Sequence, residues 1–206
     1  MKLAVLSESQ ADESTVRILV DAILGSATEI ADLPPLRTRG WPQVLHVIPA
    51  VITHLHYRTD ADAVVVVVDS DDSPVHDRSH EEDSIDEKCR VCTVTSRLSV
   101  VQSQLRKIPN RSALKTGIGL AVPAIEAWLG CGPNPLSEAS LIQAPNAGTR
   151  QLKNQLKQQV YGTDRPSQTK MLQCAMEQSK RLAQDIETLE KLFPGFAILA
   201  RDVRSW

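Results

Sequence analysis

The stretch AVVVVVDSDD, residues 63–72, decides the fold of this 206-residue chain. Its five consecutive valines form a continuous β-branched run, which is typical of a central strand in a parallel sheet that is buried on both faces. The carboxylates of Asp69, Asp71 and Asp72 follow at once. Ligands of open α/β sheets bind just beyond the carboxyl ends of the strands. The stretch therefore predicts both the middle of the sheet and the edge at which chemistry takes place.

Strand and helix patterns alternate on both sides of this run. Further strands are predicted at 2–6, 28–33 and 116–122. Between them, apolar residues recur every three or four positions at about 15–23, 44–55 and 91–105, which indicates helices. Asp12 or Ser14 is the expected cap of the first helix, Gly25 its stop, and Pro49 predicts a kink in the second. The alternation predicts an α/β fold, with a mainly parallel sheet flanked by helices.

The last third of the chain has a different composition. Residues 130–147 are rich in Pro, Gly, Asn and Ser, which favours a long loop. Two polar, basic helices are predicted at about 148–160 and 167–192, followed by a short tail. We therefore expect an α/β core at 1–130, a loop at 131–147, and a C-terminal helical segment at 148–206 that packs on the core.

Charge is distributed unevenly along the chain, although the net charge is only −2. Residues 1–87 hold 17 acidic and 6 basic side chains, whereas residues 88–206 hold 8 acidic and 17 basic ones. This asymmetry suits a protein that gathers metal at one place and a polyanion at another. The alternative is that the acidic stretch is a solvated loop and that the basic residues line solvated helix faces.

Composition also excludes several classes of protein. The longest apolar run is far shorter than the roughly 20 residues that span a bilayer, so no membrane segment is expected. Residues 1–9 lack the pattern of a signal peptide, and four cysteines do not make a disulfide framework, which together favour a cytoplasmic protein. Aromatic residues make up only 3% of the chain, which argues against a base-stacking surface. Oligomeric state is left open, with a homo-oligomer as one expectation.

Carboxylates follow several of the predicted strands. If the strands are neighbours, five carboxylates converge on one edge: Glu8, Asp69, Asp71, Asp72 and Glu126. Crowded carboxylates repel each other unless a hard cation neutralises them, and Mg²⁺ or Mn²⁺ so held can activate water and offset charge on a phosphodiester. For Asp72 a turn or helix cap is an equal explanation, and Glu126 has the alternative of an exposed helix glutamate.

Basic residues in the second half of the chain predict a nucleic-acid-binding face. The candidates are Lys115, Arg150, Lys153, Arg165 and Lys170, with Lys157 beside them. For Lys115 a strand-edge lysine is the ordinary explanation. Solvated helix surfaces remain the alternative for the others.

A pair of cysteines and a pair of histidines are weaker candidates for metal ligands than the carboxylates. Cys89 and Cys92 have zinc or redox spacing, yet they form the only such pair and match the period of a helix. His76 and His80 are four residues apart in the acidic stretch, where they can touch a metal or remain solvated. Taken singly, neither pair predicts a metal site.

Short motifs give the chain a resemblance to the Toprim domain of topoisomerases, primases and OLD-type nucleases. A glutamate follows the first strand within ESQADE (residues 8–13), and Asp-x-Asp follows a later apolar strand at DSDD (residues 69–72). The chain is more similar still to small stand-alone Toprim-like proteins, often encoded beside an AAA-type ATPase. The segments that carry this likeness are VPAIEAWL (122–129), RPSQTK (165–170) and FPGF (193–196).

The resemblance implies a Toprim-like, Rossmann-like fold with Mg²⁺ or Mn²⁺ at Glu8, Asp69 and Asp71, which would be the catalytic residues. It further implies phosphodiester chemistry on nucleic acid, with the role of effector in an ATPase-linked defence system as one expectation. One alternative is a catalytically inactive module of the same fold that binds nucleic acid or a protein. A different Asp-x-Asp enzyme is disfavoured, because a phosphatase of the haloacid-dehalogenase type needs its motif after the first strand, and a nucleotide-sugar transferase needs a base pocket.

Overall fold

A computed structural model of the chain describes residues 1–33, 40–77, 79–82, 86–132, 136–143 and 148–206. Within these residues, four parallel strands form one sheet in the order β2-β1-β3-β4. The strands are β1 (Lys2–Leu6), β2 (Glu29–Ile30), β3 (Ala63–Asp69) and β4 (Lys115–Ala121). The predicted parallel α/β sheet is therefore confirmed, and the fold is Rossmann-like.

Helices surround this sheet. They are α1 (Gln10–Leu24), α2 (Trp41–Arg58), α3 (Ser79–Glu82), α4 (Arg90–Gln104), α5 (Glu126–Leu129), α6 (Glu138–Ile142), α7 (Thr149–Tyr161), α8 (Gln168–Leu182), α9 (Ile186–Leu192) and α10 (Pro194–Arg204). None of the helices in the described part of the chain is long and apolar enough to cross a membrane.

The valine run forms the centre of the sheet, as predicted. β3 pairs with β1 through Val66 and Leu6, and with β4 through Val66 and Ile118. Because side chains alternate along a strand, Val65 and Val67 face a core shared with α1 and the C-terminal helices. Val64, Val66 and Val68 face the opposite core, which is formed with α2 and α4. All five valines are at most 1% exposed.

α1 is capped by a serine at its start and by a glycine at its end. The expected caps were Asp12 or Ser14, but Ser9 caps the helix, since its hydroxyl accepts a hydrogen bond from the Asp12 N–H at 3.2 Å. Because Ser9 is the cap, the Asp12 side chain does not cap α1. Gly25 ends the helix in the left-handed conformation, as predicted (φ 64°). In α2, Pro49 lies inside a single helix that continues to Arg58.

The C-terminal segment differs from its prediction in two places. The helix expected at 167–192 is two helices, because Asp185 caps α9 by accepting from the Thr188 N–H at 3.1 Å. The expected tail is α10, where Pro194 starts a helix instead of ending one. α10 packs against β4 so closely that a Cβ on Gly195 would lie 2.0 Å from the Leu120 carbonyl oxygen. Only glycine fits there.

The stretch expected to be a loop, 131–147, contains the short helix α6. A capping box starts it, in which Ser137 and Ser140 exchange hydrogen bonds between side chain and backbone. The remainder of the predicted loop lies partly outside the described residues, at 133–135 and 144–147.

Glu138 on α6 is a buried carboxyl, only 1% exposed. Its Oε2 accepts a hydrogen bond from the Gly195 N–H at 3.1 Å, while Oε1 has no hydrogen-bond partner. Burial raises the pKa of Glu138 from 4.5 to about 7, against the opposing effect of that hydrogen bond. Glu138 thus carries a proton in the folded protein at pH values where it is ionised in the unfolded chain.

We expect the free energy of unfolding to fall as the pH rises from 4.5 to about 7. The pKa of Glu138 is higher in the folded protein than in the unfolded chain. The stability that Glu138 contributes is therefore fully present below pH 4.5 and is lost as the pH approaches and passes 7. The shift corresponds to about 3 kcal/mol. Glu138→Gln should reduce this dependence by the contribution of Glu138, as measured by urea unfolding at pH 5 and pH 8, while the contribution of Glu8 remains. Glu177→Gln, on the exposed surface of α8, is the control; equal pH dependence in both variants would refute the assignment.

Candidate functional site

The carboxyl edge of the sheet brings together the first two predicted site residues. Glu8 follows β1 and Asp69 ends β3, and these strands are neighbours in the sheet. Glu8 Oε1 accepts a hydrogen bond from the Asp69 N–H at 3.0 Å. The backbone is held here by Ser7, whose hydroxyl donates to the Val67 carbonyl oxygen at 2.8 Å. Glu8 therefore has a fixed position over the end of the central strand.

Asp69 and Asp71 share one cation. Asp69 Oδ2 lies 2.8 Å from Lys153 Nζ, and Asp71 Oδ1 lies 2.5 Å from the same nitrogen. The other oxygen of Asp69 accepts from the Ile125 N–H at 3.1 Å. Asp71 has a positive φ of 47°, a conformation that aspartate tolerates better than most residues. The turn thereby directs both carboxylates toward α7.

Arg90, the first residue of α4, is the second cation of the site. Its NH2 lies 2.8 Å from Asp71 Oδ2, its NH1 donates to the Asp69 carbonyl oxygen at 2.6 Å, and its NH1 is 3.6 Å from Glu8 Oε1. The guanidinium stacks over the Trp41 ring, 4.9 Å from the centroid. Arg90 was not among the sequence-predicted residues, since nothing in its spacing links it to the strand ends.

The carboxyl groups at this edge are difficult to ionise together. Burial and then the Asp69 carboxylate raise the pKa of Glu8 to about 7, and the same two causes raise the pKa of Glu126. Asp12, predicted as a helix cap and part of the ESQADE segment (8–13), belongs to the same group, because burial and the Asp69 carboxylate raise its pKa as well. Its sequence signal was its position one helical turn after Glu8.

The other predicted site residues are placed differently. Asp72 is exposed in the turn after β3. Lys115 starts β4 and pairs with Ala63, so it lies at the opposite edge of the sheet, about 20 Å along the strand from Asp69. The side chains of Arg150, Arg165 and Lys170 are exposed on the C-terminal helical segment. Of the predicted nucleic-acid-binding residues, only Lys153 reaches the carboxylates, where it pairs with both aspartates.

The donor set suits a hard divalent cation by its chemistry and its charge. Five carboxyl groups, those of Glu8, Asp12, Asp69, Asp71 and Glu126, face two directly paired cations, Arg90 and Lys153. Oxygen ligands in excess of the local positive charge are what Mg²⁺ and Mn²⁺ require. Lys153 Nζ lies between the carboxylate oxygens of Asp69 and Asp71.

Among the described residues, the carboxylates at the sheet edge do not bring three ligand atoms within reach of one ion, whereas a second cluster does. It consists of His76, His80, Cys89 and Cys92, with one ligand atom from each within 4.8 Å of all the others. Sequence reasoning missed it because it weighed the Cys pair and the His pair separately. The available signal was that both pairs bracket the same short segment between β3 and α4.

Comparisons of the chain with protein-family models, with curated proteins and with solved structures found no match. The side chains of these two clusters are therefore the evidence for function.

Proposed function

We propose that the chain cleaves phosphodiester bonds in nucleic acid, using Mg²⁺ or Mn²⁺ held by Glu8, Asp69 and Asp71. The observation that carries this proposal is the hydrogen bond from the Asp69 N–H to Glu8 Oε1 at 3.0 Å, beside the paired aspartates. It joins the ends of two neighbouring parallel strands, where α/β folds bind their ligands. The resemblance to stand-alone Toprim-like proteins supports the same reaction, with an AAA-type ATPase as partner and defence as the setting.

Each side chain has a role in this reaction. A bound divalent cation supplies activation of water and neutralisation of charge on the phosphodiester. Asp69 and Asp71 would provide its ligand oxygens, and Glu126 and Asp12 add two further carboxyl groups beside them. Glu8, oriented by the Asp69 N–H, is placed to accept a proton as general base. Arg90 and Lys153 bring to the same edge the positive charge that phosphate oxygens need.

A second candidate function is supported by the ion pairs themselves. Lys153 and Arg90 neutralise both aspartates without a metal ion, at 2.5 to 2.8 Å. Such pairing favours a binding module of the same fold, which recruits nucleic acid or a protein and does not cut. The two candidates differ in one property, because only the first requires a divalent cation.

The full chain should be assayed for cleavage and for binding of single- and double-stranded DNA and RNA, with Mg²⁺, with Mn²⁺ and with EDTA. Cleavage that depends on the divalent cation is the result expected from the first candidate. Binding that is equal in EDTA, with no cleavage of any of these substrates in either metal, would reject it in favour of the second.

Lys153→Gln should raise the affinity for Mn²⁺ by about tenfold. The substitution removes the positive charge that lies between Asp69 and Asp71. This ammonium group and a Mn²⁺ ion a few ångströms away would repel each other by more than 1.4 kcal/mol, which is the energy that corresponds to a factor of ten in affinity. Calorimetric titration measures the change. Lys180→Gln on the exposed face of α8 serves as control. Equal or weaker Mn²⁺ binding by Lys153→Gln would show that the ion does not bind between these aspartates.

A further inference from the structure

The four side chains of the His/Cys cluster converge, with one ligand atom from each within 4.8 Å of all the others. His76 Nδ1 lies 3.5 Å from Cys89 Sγ and 3.5 Å from Cys92 Sγ, and His80 Nδ1 lies 3.7 Å from Cys92 Sγ. A zinc ion with Zn–S bonds of about 2.3 Å and Zn–N bonds of about 2.0 Å separates a sulfur from a nitrogen ligand by about 3.6 Å. These three sulfur–nitrogen distances therefore match those around a tetrahedral zinc ion.

Local structure explains how the sequence makes this arrangement. Cys89 is the residue before α4 and Cys92 lies in its first turn, so both sulfurs point to the same side of the helix start. His76 lies in the segment after β3, and His80 lies in α3. The spacings are H-x3-H and C-x2-C, both within the range used by structural zinc sites. The segment after β3, which includes α3, thus meets the start of α4 at this cluster.

We infer that His76, His80, Cys89 and Cys92 bind one Zn²⁺ ion in a closed, structural Cys₂His₂ site. Two thiolates balance the charge of the ion, and two imidazoles complete four-coordinate geometry. Four protein ligands fill the tetrahedral coordination of zinc, as in structural sites, and both cysteines are buried, at 0% and 5% exposure. Sulfur and imidazole ligands select Zn²⁺ over the hard cations proposed at the carboxyl edge of the sheet.

Surrounding residues support the histidine orientation. Asp86 Oδ2 lies 3.9 Å from His80 Nε2, on the side of the ring opposite the ligand atom. At this distance, which is longer than a hydrogen bond, the carboxylate acts on the imidazole through its charge. The two histidine rings pack edge to face, with centroids 5.3 Å apart.

The inferred zinc site has a consequence for the carboxyl edge. Cys89 is followed directly by Arg90, whose guanidinium holds Asp71 and the Asp69 carbonyl oxygen. Zinc would fasten the start of α4 to the segment that follows the aspartates, and so keep Arg90 in place. The inference does not depend on the proposed nuclease function, because its ligands are separate from the carboxylates.

The full chain should be purified without chelator and its metal content measured by mass spectrometry. We expect one Zn²⁺ per chain, and we expect the metal-free protein titrated with Co²⁺ to give the intense visible bands of tetrahedral cobalt with a thiolate-to-metal charge-transfer band. Cys92→Ser and His80→Asn should each weaken Zn²⁺ binding by more than about 100-fold, and Asp86→Asn by about tenfold. Cys174→Ser, a half-buried cysteine on α8 outside the cluster, is the matched control and should bind zinc as the wild type does.

Three outcomes would overturn the inference: wild-type protein that binds no Zn²⁺, a Co²⁺ complex with the weak spectrum of octahedral oxygen ligands, or a disulfide between Cys89 and Cys92 in the protein as purified. The Co²⁺ titration uses the wild-type sequence, so it remains decisive if a variant fails to fold. Asp69→Asn/Asp71→Asn should keep full zinc occupancy, and this separates failure of the zinc inference from failure of the proposed nuclease site.

Discussion

Asp71→Asn is expected to lower metal-dependent phosphodiester cleavage by at least about 100-fold. Asparagine keeps the size of the side chain and removes one negative charge from the proposed cation site. The same carboxylate is paired with Lys153 at 2.5 Å and with Arg90 at 2.8 Å, so its loss also leaves these two cations less well placed. Initial rates in Mg²⁺ and in Mn²⁺, at saturating nucleic acid, give the magnitude.

Two controls separate lost chemistry from lost folding. Asp164→Asn lies on the exposed turn between α7 and α8, removes the same charge, and should cleave at the wild-type rate. Thermal unfolding of the Asp71→Asn protein should remain cooperative. Wild-type cleavage by a folded Asp71→Asn protein would exclude this carboxylate as a metal ligand.

Phe196→Ala is expected to lower the free energy of unfolding by about 3–5 kcal/mol, the usual cost of removing a fully buried phenyl ring. Phe196 on α10 is 0% exposed and packs edge to face on Trp128, with ring centroids 5.2 Å apart and planes at 76°. Trp128 is also fully buried. Truncation therefore leaves a cavity between α10 and the short helix α5.

Thermal and urea unfolding measure this loss, which corresponds to a decrease of about 10 °C in Tm for a chain of this length. Met176→Ala is the matched control, since Met176 is an apolar side chain on α8 with 40% exposure and should change stability by less than about 0.5 kcal/mol. If the two variants lose equal stability, α10 is not part of the folded core.

The sheet can be predicted from the sequence because the residues that determine each strand are adjacent in the chain. Five valines in a row suit only a strand buried on both faces, and Asp69 directly after them is carried to the edge by the strand itself. Glu8 is found by the same reasoning one strand away. The hydrogen bond between Glu8 and the Asp69 backbone joins residues 61 positions apart, yet it follows from the pairing of β1 with β3.

The rest of the site depends on tertiary packing that local patterns do not encode. Lys153 is 84 residues from Asp69, and its place between the aspartates depends on how α7 docks on the sheet. A basic helix face gives the same sequence pattern whether it binds nucleic acid or internal carboxylates. α10 was missed because Pro-Gly at 194–195 is a turn signal, and the requirement for glycine comes from contact with Leu120.

The His/Cys cluster illustrates a different difficulty. Each pair has an ordinary explanation by itself, as helix residues or as polar residues of an acidic segment. Only the fold shows that Cys92 Sγ lies 3.5 Å from His76 Nδ1 and 3.7 Å from His80 Nδ1. Four ligands in one place have far fewer alternative explanations than two ligands in each of two places.

Calorimetric titration of Mn²⁺ into the wild-type chain and into Asp69→Asn/Asp71→Asn tests the proposed metal site most directly. The wild type is expected to bind Mn²⁺ saturably and to release protons as the ion displaces them from the crowded carboxyl groups, seen as heats that vary with the ionisation enthalpy of the buffer. The double variant should lose this binding. Absence of saturable binding in the wild type, or equal binding by both proteins, would contradict a metal centre at the carboxyl edge of the sheet.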